Sequence, residues 1–136
     1  MLTPETLALL SQSVLCWLAT VDAQGRPSVS PKEIFVAQAP DQILIAHIAS
    51  PRSARNIGDG AEVCVAAVDV FEQRGVQAYG RAEVISAEAP GFAAVAAPLL
   101  EMAGPGFPLQ AVIRVSVREV RPTVAPSLWM YPLVHA

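Results

Sequence analysis

The stretch ILIAHIASPRSARNIGDG, residues 43–60, holds a strand, a sharp turn and a short helix within eighteen positions. Ile43, Leu44, Ile45, Ala46, His47 and Ile48 form a mostly apolar, β-rich run. Ser50 then suits a helix N-cap, Pro51 the first helical position, and Gly58 the residue just past the helix end. The first turn of the predicted helix carries Arg52 and Ser53, with Arg55 and Asn56 behind them. Free N–H groups at a helix start favour an anion. A guanidinium there adds a planar fork able to grip two phosphate oxygens. Two readings fit these residues: a phosphate site, or a capped helix with solvated arginines.

The chain around this stretch has 136 residues, enough for one domain, 1–136, with a real core. Hydrophobic residues make up 53% and charged residues 15%, which is apolar for a monomer of this size and predicts an oligomer. No apolar run approaches the ~18 residues of a membrane helix, and the first residues lack the pattern of a signal peptide. A cytoplasmic protein without membrane contact is the expectation. A net charge of −3 with no basic stripe argues against nucleic acid as a partner. Cys16 and Cys64 stand alone in apolar runs without metal-ligand spacing, so buried, reduced thiols and no metal are expected.

Upstream, Thr3-Pro4-Glu5 opens a helix that ends near Ser11 to Ser13. Val14 to Val21 reads as a strand covered on both faces. Asp22 to Gly25 turns the chain into a second strand, from about Pro27 to Val36, giving an antiparallel hairpin. Ser28, Ser30 and Lys32 alternate onto one face of that strand. They either line an anion site or face solvent. Pro31 between them places the strand at an edge or a bulge. Downstream come strands at Ala61 to Val70 and Val76 to Ile85, with Gly80 marking a bulge. A helix at Pro90 to Met102 should kink or divide at Pro98, and a last strand spans Gln110 to Val120. Arg114 and Arg118 alternate with Ile113, Val115 and Val117 and should face outward. The segment from Arg121, with Trp129, Tyr131 and His135, should be extended and packed on something. The sum is a mainly β (α+β) fold: a six-stranded antiparallel barrel, with a short helix after the third strand and flanking helices.

Three segments in order resemble the pyridoxamine 5′-phosphate oxidase-like split-barrel family. They are VLCWLATVDAQGRPSVSPK (14–32), IAHIASPRSARNI (45–57) and YGRAEVI (79–85), matching the family's opening hairpin, its strand–turn–phosphate segment and its Gly-x-Ala strand. The resemblance implies an FMN-binding homodimer with the flavin between subunits. It implies that Ser30 and Lys32 lie along the flavin and its phosphate, that His47 and Ile48 run beside the ring system, and that Ser50, Arg52 and Ser53 hold the phosphate. Ser53 stands where the family commonly has Lys, and Gly75 where the true oxidases have a flavin-contacting Gln. The segment SLWMYPLVHA lacks their Arg-rich end. The resemblance is therefore to the broader family and not to the true oxidase.

Flavin supplies redox chemistry by itself, so few acid–base residues are required. His47 is either a packed histidine or a proton donor. The expected function is FMN-dependent oxidation or reduction of a small molecule. The alternative is a non-enzymatic protein that stores or senses flavin, haem or deazaflavin. A third reading is a barrel that acts through protein contacts alone.

Overall fold

The computed structural model describes residues 1–48, 51–58 and 60–124. In chain order the elements are α1 (Pro4–Gln12), β1 (Cys16–Val21), β2 (Pro27–Lys32), β3 (Phe35–Gln38), β4 (Gln42–His47), α2 (Pro51–Ile57), β5 (Ala61–Asp69), β6 (Arg74–Ser86), α3 (Phe92–Ala103) and β7 (Ala111–Val124). The strands form one antiparallel, seven-stranded sheet in the order β2-β1-β5-β6-β7-β4-β3. Its two edges, β2 and β3, are consecutive in sequence and separated only by Glu33 and Ile34. Three Cα–Cα steps reach at most ~11 Å, so the sheet must curl until its edges nearly meet at that end. A split barrel follows from connectivity alone.

Among the described residues there are seven strands where the sequence suggests six, and the short helix follows the fourth strand and not the third. The continuous run Pro27 to Val36 is in fact two strands that pair with different neighbours, Cys16–Val21 on one edge and Gln42–His47 on the other. The bend at Glu33 and Ile34 is held where the Ala46 N–H donates to the Ile34 carbonyl at 3.0 Å. α3 is continuous through Pro98, so no division occurs. β7 runs past Val120 to Val124, with Pro122 inside it. Residues 125–136, and so the expectation for Trp129, Tyr131 and His135, lie outside the described residues. β1 is not covered on both faces: Leu18 and Cys16 are buried, whereas Trp17 is 44% exposed on the outer face.

Inside the curl, Leu18, Ile43, Ile45, Val63, Val65, Ala78, Ile113 and Val115 form the main core. Leu10 of α1 and Ile57 of α2 plug into it. A second cluster joins Leu44, Ala46 and Val112 on the outer face to Ala96 and Leu99 of α3. β4 is therefore buried on both faces, which explains its unbroken apolar run. The bulge expected at Gly80 is present as a register shift between Tyr79 and Gly80 against β7. A Cβ on Gly80 would lie 2.1 Å from the Ser116 carbonyl oxygen, so only glycine allows this approach. Arg114 and Arg118 face outward and pair with Glu83 and Glu62.

Candidate functional site

β2 carries two prolines, Pro27 and Pro31, which suits an edge strand. Its alternate residues Ser28, Ser30 and Lys32 stand opposite Thr20, Leu18 and Cys16 of β1. Directly paired residues share a sheet face. Those β1 residues are buried, so Ser28, Ser30 and Lys32 lie on the inward face of the sheet, the two serines half-buried and Lys32 buried. Lys32 is 8% exposed.

α2 closes this end of the barrel. Ser53, Asn56 and Ile57 lie three and four residues apart and form its inward face. Ile57 enters the core. Ser53, 5% exposed, places its Oγ 3.2 Å from the Ser30 Oγ. Asn56 Nδ2 donates to the Thr20 Oγ1 at 3.0 Å. Arg52 and Arg55 are left on the exposed side. His47, last in β4, shares the inward parity of Ile43 and Ile45.

Burial lowers the proton affinity of the Lys32 amine, partly offset by the neighbouring Cys16. Burial also pushes the Cys16 thiol up to about 12, so it stays a thiol. His47 is held below its ordinary range, first by burial and then by the charge of Lys32. Its Nδ1 is buried with no hydrogen-bond partner among the described residues. An anion entering beside Lys32 and His47 would favour the charged form of both, so this end of the barrel is electrostatically suited to one.

Among the residues expected at the site, the structure brings Ser30 and Ser53 into contact and places Lys32 and His47 within electrostatic reach of each other. Arg52 is exposed on the first turn of α2, and Ile48 is exposed just past β4. Ser50 lies outside the described residues. Gly75 is buried, and a Cβ there would lie 2.4 Å from the Ala67 carbonyl oxygen. No glutamine fits that position without a shift of β5. The sequence gives no site role to Thr20, and names Asn56 only as standing behind the first turn of the helix. The available signal was an isolated hydroxyl in the apolar run of β1 and an amide one turn behind Ser53. A separate apolar groove of about 850 Å³ lies between α1, the start of β1 and the β5–β6 hairpin, lined by Leu9, Trp17, Val68, Phe71 and Val76.

The family model described as pyridoxamine 5′-phosphate oxidase matches residues 2–123. No curated protein matches the chain. Among solved structures, a putative pyridoxamine 5′-phosphate oxidase from Lactobacillus delbrueckii is 29% identical with a TM-score of 0.75, covering 88% of this chain and 93% of that one. The heme storage protein HutZ from Vibrio cholerae is 25% identical with a TM-score of 0.65, covering 90% and 94%. An FMN-binding protein from Syntrophomonas wolfei is 16% identical with a TM-score of 0.69 over 91% and 87%, a likeness of fold alone. With 122 consecutive residues, from the first helix to the last strand, matching one family model, the chain belongs to the pyridoxamine 5′-phosphate oxidase family.

Proposed function

We propose that this protein binds FMN and uses it to oxidise or reduce a small molecule, acting as a homodimer. The observation that carries this reading is the convergence of Ser30, Ser53 and Lys32 at one end of the barrel, beside the exposed Arg52. Two hydroxyls and two cations match a phosphate monoester, which accepts several hydrogen bonds and carries negative charge. Ser30, Lys32, Arg52 and Ser53 would hold that phosphate, with Ser50, two positions before Arg52 in the sequence, as a further candidate. His47 and Ile48 would stand beside the ring system, and the orphaned His47 Nδ1 fits a ring heteroatom or its bridging water. Bound flavin supplies hydride or electron transfer. The chain's own task is to anchor, orient and shield it.

Arg52 is the principal anchor in this reading. A charge-assisted hydrogen bond is worth ~1.5–3 kcal/mol, so Arg52→Ala should weaken FMN about ten- to a hundred-fold. Its exposure means that apo stability should hardly change. Titration by flavin fluorescence quenching measures both proteins. Equal affinities would move the anchor to Lys32. Bleaching of the bound flavin by NADH or NADPH then separates an enzyme from a carrier.

The likeness to HutZ supports a second reading, haem or flavin storage without turnover. Adding haemin and following its Soret band tests it. A shifted, saturable band in a protein that leaves FMN fluorescence untouched would favour storage of haem over flavin chemistry.

A further inference from the structure

We infer that the Thr20–Asn56 hydrogen bond is the positioning contact that sets where Arg52 meets the phosphate; this rests on the FMN reading above. α2 has seven residues, too few to hold a helix in water without tertiary contacts. Among the described residues, Ile57, Ser53 and Asn56 tie one face of it to the barrel. Burial of Ile57 sets depth, but burial is non-directional. The Ser30–Ser53 contact is the longer of the two polar ones, 3.2 Å, and ties α2 to the edge strand β2, which has one hydrogen-bonded neighbour. The Asn56 amide is different. It donates at 3.0 Å to a threonine that is 1% exposed and fixed on β1. β1 is in turn paired on both sides, to β2 and β5. Of the three contacts, this one most restricts roll of α2 about its axis.

Roll decides the reach of Arg52. A turn of about 20° carries a group at the helix rim, roughly 5–6 Å from the axis, by about 2 Å. That exceeds the tolerance of a hydrogen bond, whose useful range spans about half an ångström. Thr20 and Asn56 face the barrel interior and β1, while Arg52 lies on the exposed side. The pair therefore acts through the helix and needs no contact with the ligand.

The test compares FMN with riboflavin, which has the same ring system and no phosphate, on the full chain. The variants are Thr20→Val, Thr20→Ser and Asn56→Ala. Loss of the contact in Thr20→Val should weaken FMN by ~10-fold or more, part of what a charge-assisted bond contributes. Riboflavin affinity should stay within about twofold, because one displaced phosphate contact does not touch ring binding. Thr20→Ser keeps the acceptor and should restore FMN binding. Asn56→Ala should match Thr20→Val, and serves in its place if the valine variant does not fold. If Thr20→Val and Asn56→Ala bind FMN as the unaltered chain does, the positioning role is wrong and the FMN reading stands. Equal loss of FMN and riboflavin would reduce the contact to general stability and overturn the inference. An unaltered chain that prefers FMN over riboflavin by nothing, and gains no melting temperature from inorganic phosphate, would overturn the FMN reading and the inference together.

Discussion

His47 links burial to pH at the scale of a single residue. Its imidazole resists protonation in the folded chain because burial removes solvent and Lys32 adds like charge. In the unfolded chain it takes up a proton near its ordinary 6.5. The folded state therefore binds fewer protons below that pH, and its stability falls as pH drops. This contribution is complete above 6.5 and is lost on the acid side. Urea unfolding at pH 7.5 and 5.5 should show a smaller loss for His47→Gln than for the unaltered chain. An identical loss in both would place the pH sensitivity in the carboxylates. In the sequence, strand parity places Ser30 and Lys32 on one face, while His47 and Ser53 are singled out by the resemblance to the family. Their inward direction was not legible, because alternation separates two faces without saying which one the barrel encloses.

β6 and β7 show what one element can demand of another. The strands cross so closely at Gly80 that the Ser116 carbonyl occupies the place of a side chain. Gly80→Ala must push the strands apart or break the bulge. Overpacking of this kind costs ~1–3 kcal/mol, occasionally more. Urea denaturation should place Gly80→Ala at the upper end of that range, and a loss below ~0.5 kcal/mol would mean that the strands yield easily. Gly80 as a bulge was legible, since a lone glycine in an alternating strand has few other uses. The division of Pro27 to Val36 into β2 and β3 was not. Both halves alternate normally, and only the identity of their partners, set by the whole sheet, reveals the break. Pro98 does not divide α3 for a related reason: the helix keeps buried Ala96 and Leu99 on either side of it, and packing outweighs one lost backbone bond.

On the scale of the whole molecule, part of the apolar composition lies on the outer face of β2, β1 and β5. Val29, Trp17, Val21 and Val68 all stand exposed there, next to the groove that holds the 90% exposed Phe71. Such a face suits the second copy proposed above. A stable obligate interface buries ~2,000 Å² or more, so light scattering at micromolar concentration should give the mass of a dimer. Trp17→Glu puts a charge in the middle of this face and should shift the mass toward a monomer without unfolding the barrel. A dimer unaffected by both Trp17→Glu and Val29→Glu would mean that the copies meet elsewhere.

The two-residue link between β2 and β3 has a consequence for self-association. A sheet recruits foreign strands at its unpaired edges, and an open sheet has two of them exposed along their length. Here one short covalent bridge draws both edges together at the Lys32–Phe35 end, and Pro27 and Pro31 remove two donors from what remains of the β2 side. Among the described residues, the far end of β3, near Gln38, is the part of that edge most distant from the bridge. Lengthening the bridge with a flexible insert after Glu33 would let the edges part. Such a chain should keep its core and become prone to thioflavin-positive aggregation, showing the link to be a safeguard against strand addition as well as a connection.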